Sequence, residues 1–373
     1  MESPFQFGKI VSGLSFTDRV EHLEQLKQNF LSGISTTLIS PRRWGKSSLV
    51  QKCIEDNFSL NAQYRVVMLD LFKIRTEEEF FQIYAEQLLK SVSSKSGEII
   101  DHAKAFFQRI VPRITISTDS VNDFSFSFDI KELAGNRIEI LNLAERIAEK
   151  KNLKIIFCID EFQNIGRYAN TEAIQRELRA SWQNHSRVIY CLYGSKRQMM
   201  RDMFNTSERP FYRFGDVIFL KKIEKRYWNA FIVEAFARTG KKISEEFSGQ
   251  IAEKMNMHPY YVQQLSHIVW TLTEKTVTAE ILEHAEQKII ETNMPFILNE
   301  YELLSSGQIH LLKAVCAGET RFNAVEVLQT YKLGTSGNAS KNKKTLEARD
   351  VIDITPKGIE FIDPVFELWF RGN

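Results

Sequence analysis

The sequence has little of several things that would narrow its class at once. It holds 4 cysteines in 373 residues, and Cys53, Cys158, Cys191 and Cys316 lie far apart, without metal-ligand spacing. Their apolar neighbourhoods point to buried free thiols in a reducing compartment. An excess of one charge is also missing. Forty-nine Lys+Arg against 47 Asp+Glu leave a formal net charge of +2, so any nucleic-acid contact must come from a local patch. The longest apolar run near the middle, Ile155 to Ile159, is far too short to cross a bilayer. The start, MESPFQFGK, lacks an apolar core behind a basic segment, so no secretory leader is expected. The expected setting is cytoplasmic, with no membrane partner. Internal repeats and low-complexity tracts are absent.

What is there has the balance of a globular protein, 43% hydrophobic and 26% charged, with length for two or three domains. Up to residue 221, short apolar runs alternate with helical patterns. The runs are Thr36 to Ile39, Val66 to Leu71, Ile155 to Ile159, Val188 to Tyr193 and Val217 to Leu220. They are apolar nearly throughout, as strands of a parallel sheet buried on both faces should be. The predicted fold class is α/β, a three-layer α/β/α arrangement on a parallel sheet. Thr17 to Phe30 reads as a helix capped by Thr17, with Val20, Leu23, Leu26 and Phe30 in one apolar stripe. A further helix follows from Ser47. Ile114, Ile116, Phe124, Phe126 and Phe128 alternate with polar residues around Asp119-Ser120, which predicts a β-hairpin inserted at about 113–130. From 222 to 297 the periodicity is helical only. From 298 to 373 it becomes helices followed by two short strands, Val351 to Ile354 and Ile359 to Ile362.

The segment Ser40-Pro41-Arg42-Arg43-Trp44-Gly45-Lys46-Ser47-Ser48 falls between a predicted strand and a predicted helix. There, backbone N–H groups and a helix N-terminus converge on phosphate oxygens. Lys46 would reach the β- and γ-phosphates of a nucleotide, and the Ser47 hydroxyl would hold Mg²⁺. Gly45 lets the backbone approach closely. The first glycine of the usual pattern is missing, and Ser40 stands in its place. A serine at a strand end fits if the chain leaves without a left-handed turn. Downstream, the strand Ile155 to Ile159 runs straight into Asp160-Glu161. Such a pair puts one carboxylate by the metal and the other by the γ-phosphate. Asp160 would bind Mg²⁺ through water, and Glu161 would orient and deprotonate the attacking water.

Together these residues resemble a known family, the archaeal-type ATPases of the STAND class of P-loop NTPases, including their Bacteroidetes members. The resemblance runs nearly end to end. It starts at Phe16-Thr17-Asp18-Arg19 and takes in the loop, Asp160-Glu161-Phe162-Gln163 and Gly194-Ser195. It continues through His258-Pro259-Tyr260-Tyr261 to Asp363-Pro364-Val365-Phe366-Glu367-Leu368-Trp369-Phe370-Arg371. The resemblance implies ATP binding and hydrolysis to ADP, a P-loop ATPase domain at 1–221, a helical lid at 222–297 and a winged helix at 298–373. It implies nucleotide contact along Pro41 to Ser48. Ser195 is either a polar sensor of the γ-phosphate or a helix cap. His258-Pro259 is either a report on the β-phosphate or a plain turn. Arg209 and Arg213 are candidate arginine fingers, in cis or across a subunit interface. Arg42 and Arg43 are expected to pack on acidic neighbours, and Trp44 to anchor the loop or make a partial adenine contact.

The local basic patch that a near-neutral chain requires lies between 331 and 349. Lys332, Lys341, Lys343, Lys344 and Arg349 stand there against Glu347, beside Ser336, Asn338 and Ser340. Two readings stay open: non-specific contact with DNA phosphates, or a protein-interaction face. Two outputs stay open as well. One is an ATPase switch; the other is a nucleotide-locked DNA-binding or scaffold module with negligible turnover, acting alone or with a partner protein or second copy.

Overall fold

The computed structural model describes residues 2–93, 115–118, 124–127, 136–355 and 358–373. The chain forms two compact units, one of Arg19–Arg42 and Lys46–Lys221, the other of Met1–Asp18, Arg43–Gly45 and Lys222–Asn373. Two stretches inside the expected 1–221 domain, Met1–Asp18 and Arg43–Gly45, therefore group with the second unit.

In the α/β unit, α1 (Val20–Leu31) leads to β1 (Thr36–Ile39), α2 (Lys46–Asn57), β2 (Tyr64–Asp70) and α3 (Glu77–Val92). Strands β3 (Thr115–Thr118) and β4 (Phe124–Ser127) pair antiparallel, two pieces of the expected hairpin. Ile114, Asp119, Ser120 and Phe128 lie outside the described residues. Then come α4 (Arg137–Lys151), β5 (Lys154–Asp160), α5 (Thr171–Trp182), β6 (Val188–Gly194), α6 (Arg197–Asn205) and β7 (Asp216–Phe219). Among the described residues the sheet has five strands in the order β2-β5-β6-β1-β7, all parallel. Strands β1 and β6 are buried throughout, and β5 is buried from Ile155 to Ile159.

Two expectations change. Strand β2 lies at an edge, so Met68 and Asp70 reach solvent instead of being covered on both faces. Helix α1 starts at Val20, not Thr17, because Asp18 and Arg19 are left-handed (φ 56° and 71°). That turn aims the buried Arg19 guanidinium at the Lys221 carbonyl. Val20, at the first helical position, stays exposed while Leu26 and Phe30 are buried.

One face of the sheet carries a stack of rings. Tyr84 lies on Phe157 at 4.4 Å, and Trp182 on Tyr190 at 4.1 Å, so α3, β5, β6 and α5 share one aromatic layer. Cys53, Cys158 and Cys191 are buried free thiols. Burial pushes the Cys53 thiol up to about 12, which keeps it unreactive.

The second unit is built from α7 (Lys225–Arg238), α8 (Glu245–Lys254), α9 (Pro259–Leu272), α10 (Ala279–Glu302), α11 (Ser306–Cys316), α12 (Val325–Thr330) and α13 (Ser336–Ala348). An antiparallel pair, β8 (Ile352–Thr355) and β9 (Gly358–Phe361), and helix α14 (Pro364–Gly372) complete it. One hydrophobic cluster runs from Trp228 through Leu265, Leu311 and Leu346 to Phe370, and Phe5 packs into it against Phe231. Among the described residues no helix is long and apolar enough to cross a membrane.

One dense polar anchor among the described residues of the α/β unit is Glu145 of α4. Its carboxylate accepts from the backbone N–H groups of Ser186, Arg187 and Val188 and from the Ser186 hydroxyl, fastening the start of β6. Replacing it takes the acceptor away from three backbone donors, the innermost of which belongs to the buried Val188. Glu145→Ala is expected to lower unfolding free energy by about 1–3 kcal/mol in urea titration. A loss under about 0.5 kcal/mol, the scale of a surface change, would contradict this role.

Candidate functional site

The loop between β1 and α2 is shaped by two left-handed residues, Arg43 (φ 61°) and Gly45 (φ 84°). Glycine pays no steric penalty for that angle, and its missing side chain leaves the backbone open to a ligand. Ser40 has no positive φ, so the chain leaves the strand as a serine allows. The serine has its own task. The buried Lys46 donates from Nζ to the Ser40 carbonyl (3.1 Å), the Ser40 hydroxyl (3.3 Å) and the Pro41 carbonyl (2.9 Å). Ser48, also buried, lies in the first turn of α2.

The sheet carries the acidic residues to the same edge. Ile159 pairs with Leu192 and Ile39 with Gly194, so Asp160, the last residue of β5, stands beside Ser195 and Ser40, which follow the ends of β6 and β1. The Ser47 hydroxyl donates to Asp160 Oδ2 at 2.7 Å, and Oδ1 accepts from the Glu161 N–H at 2.7 Å. Glu161 is left-handed (φ 51°), an uncommon conformation for a side chain of its size. Its Oε2 accepts from the Ser195 hydroxyl at 2.9 Å and from the Gln163 amide. Ser195 in turn accepts from Arg42 Nε at 3.4 Å. Helix α6 is capped by Lys196 and receives no side-chain cap bond, so the Ser195 hydroxyl serves Glu161 and not a helix end. Arg42 meets that hydroxyl, not an acidic group.

Burial pushes the Asp160 carboxyl up to about 6, and Glu161 adds to the rise. The Ser47 and Glu161 N–H bonds, and more weakly Lys46, oppose it. The oxygens of Ser47 and Asp160 are hard donors already in contact, which suits Mg²⁺. That ion is held by one or two protein oxygens and completed by substrate phosphates and water. Among the described residues no cluster of three or more His, Cys, Asp or Glu could hold a metal, and this chemistry needs none.

In the second unit, His258 caps α9 and Pro259 opens it. Burial, reinforced by the Arg43 charge, pushes the His258 imidazole down to about 3, so the ring is neutral near pH 7. Its Nδ1 has no hydrogen-bond partner among the described residues. Trp44 meets the His258 ring edge-on at 6.1 Å. Arg43 donates to the Tyr261 hydroxyl at 3.3 Å and lies 4.5 Å over the Tyr260 ring, again with no acidic partner among the described residues. The Tyr261 hydroxyl donates to Asp363, which caps α14 through the N–H groups of Val365 and Phe366. The His-Pro-Tyr-Tyr and Asp-Pro segments are thus joined by one hydrogen bond that no spacing in the sequence signals.

The remaining candidates lie elsewhere. Arg209 is paired with Asp202 at 2.7 Å, and Arg213 lies over the Tyr212 ring. Neither bonds to the loop or to the carboxylates. On α13, Lys341 and Lys344 are exposed and line an open hollow of about 580 Å³ with Ser340, Thr345 and Arg349. Ser336 and Asn338 are exposed at the helix start, and Lys343 is half-buried, off that hollow.

No protein-family model matches the sequence, and no curated protein matches it. Solved structures do resemble the fold. A Walker-type ATPase of Pyrococcus abyssi matches with TM-score 0.66 at 17% identity, over 96% of each chain. The ORC2 protein of Aeropyrum pernix, solved as ADPNP–ADP complexes, matches with TM-score 0.57 at 14% identity, over 99% of this chain and 96% of the other. The ORC1 protein of A. pernix in complex with DNA matches with TM-score 0.50 at 11% identity, over 100% and 98%. At these identities the likeness is one of fold. The chain has the α/β P-loop NTPase fold, with a helical C-terminal part.

As a Mg²⁺ ligand, Asp160 would make metal binding sensitive to pH. Its pKa is raised, so the carboxyl holds its proton below about 6 and is ionised above it. A protonated carboxyl is a poor Mg²⁺ ligand. The part of Mg-ADP thermal stabilisation that depends on Mg²⁺ is expected to shrink as pH falls from 7 to 5. A constant Mg²⁺ increment across that range would argue against Asp160 as a ligand.

Proposed function

We propose that the chain binds ATP with Mg²⁺ and hydrolyses it to ADP, as a nucleotide-dependent switch of the archaeal-type STAND ATPase kind. One observation carries the reading: Ser47 and Asp160 share a 2.7 Å hydrogen bond, with Glu161 beside them held by Ser195. The set unites a hydroxyl and a carboxylate for the metal, a lysine in the loop and a second carboxylate for water.

In this reading Pro41 to Ser48 cradle the phosphates through backbone N–H groups, and Lys46 leaves the loop carbonyls for phosphate oxygens. The metal supplies charge neutralisation on the phosphates when bound. Glu161 takes a proton from the attacking water, and Ser195 keeps its carboxylate oriented. The neutral His258, with its unpartnered Nδ1 at a helix start, would report nucleotide state in the helical part. We divide the chain into an ATPase domain, a helical lid at 222–297 and a winged helix at 298–373. The order α11-α12-α13-β8-β9 supports the last assignment. On α13, Lys341 and Lys344 offer DNA phosphates two exposed charges on one face.

Glu161→Gln is expected to keep ATP binding and to cut turnover by about 100-fold or more, the scale of a lost general base. Lys46→Ala should abolish the thermal stabilisation given by Mg-ATP. Wild-type turnover in Glu161→Gln would favour the nucleotide-locked module instead. For DNA, replacing Lys341 and Lys344 by Ala should flatten the dependence of affinity on salt, with the log–log slope falling by about 2, while Lys343→Ala changes it little. Absence of DNA binding at low salt would leave a protein partner as the occupant of that face.

A further inference from the structure

Glu161 has two donors on one oxygen, and only the Ser195 hydroxyl belongs to the reading above. The other is Gln163. We propose that Gln163 is a positioning residue for the reaction: with Ser195 it clamps Oε2 of Glu161 and thereby sets the aim of the carboxylate at the attacking water.

The clamp is built from several independent features. Gln163 is 1% exposed, and its Nε2 donates to Glu161 Oε2. The opposite amide orientation would put two oxygens face to face, so the charge on Glu161 decides which end of the amide points at it. The other end, Oε1, has no hydrogen-bond partner among the described residues. Burying an amide oxygen without a donor is unfavourable. The placement of Gln163 therefore favours Glu161 at the amide's own expense, a pattern expected of a functional contact more than of core filling.

The surroundings leave the amide no other seat. Gln163 lies on the 3₁₀ turn Phe162–Arg167, which is fastened by Asn164 Nδ2 to the Leu71 carbonyl (3.1 Å) and by the Asn164 N–H to the Glu161 carbonyl (2.9 Å). Its Oε1 rests on Gly194, where an added Cβ would come within 1.9 Å. The residue after that glycine is Ser195, the second donor. The end of β6 thus supplies a floor for one donor and the hydroxyl of the other. Glu161 itself is left-handed (φ 51°, ψ 39°), a conformation that persists where neighbouring contacts over-determine it.

The proposal rests on Glu161 being the base, and the test separates the two. Gln163→Met keeps length and shape but removes the donor. Steady-state hydrolysis should show kcat about 10-fold lower with KM for ATP within about 2-fold of wild type. In a Glu161→Gln background the same change should cost less than about 2-fold, because the carboxylate it serves is gone. Equal losses in both backgrounds, a rise in KM without a fall in kcat, or wild-type kcat would each overturn the positioning role. Wild-type turnover in Glu161→Gln alone would instead overturn the base. Should Gln163→Met fail to fold, as judged by loss of the cooperative thermal transition, Gln163→Leu also removes the donor while staying apolar and carries the same expectation.

Discussion

The parallel register of β5, β6 and β1 places Asp160, Ser195 and Ser40 at adjacent strand ends, and the functional geometry depends on it. Residues after a buried strand have lost their ladder partners and must find others. Here those partners are one another: Ser47 with Asp160, Ser195 with Glu161, and Lys46 with Ser40 and Pro41. A one-residue slip in either pairing would turn these side chains to the other face of the sheet. Register is in turn protected by burial, since the strands carry Ile155, Phe157, Ile159, Tyr190 and Leu192 into one core. Glu145, bonded to three backbone N–H groups at the start of β6, fastens the opposite end of the same strand.

The second unit follows a related logic with different parts. Asp363 is a helix cap first, accepting from Val365 and Phe366, and the Tyr261 hydroxyl takes up its remaining oxygen. Arg43 completes the line by donating to Tyr261 while covering Tyr260. A planar guanidinium suits both tasks, a hydrogen bond in its plane and stacking across its face. His258 sits beside this line and is kept neutral by burial and by the Arg43 charge.

Much of the fold was legible because both periodicities were clean. Each of the expected sheet strands lies within a residue or two of its place, and the helix expected from Ser47 begins at Lys46. The departures share a cause. Periodicity reports where apolar residues fall but not what lies opposite them. It could not show that β2 is an edge strand, that Val20 faces solvent, or that Lys343 turns away from Lys341 and Lys344. Arg19 carried no local sign of a left-handed turn, because the turn is stabilised by a carbonyl about 200 residues away. Within the site, Lys46, Ser47, Asp160 and Glu161 were legible as types at the right places along the chain. Gln163 was visible only as a letter after Asp-Glu, since its role needs Gly194 beneath it.

By itself, then, the sequence determined the local code: an α/β alternation, a loop with glycine before lysine and serine, an acidic pair after an apolar strand, and a basic stretch near the end. Those are short-range properties, set by backbone sterics and by which side chains avoid water. The tertiary structure alone decided which polar groups meet. It sent the Ser195 hydroxyl to Glu161 instead of a helix end, joined Tyr261 to Asp363, and put two donors on one oxygen of Glu161. Hydrogen-bond partners across long sequence distances depend on strand register and packing, and no window along the chain contains either. The feature that seemed a defect in the sequence, a serine where a glycine is usual, became in three dimensions the acceptor that holds Lys46.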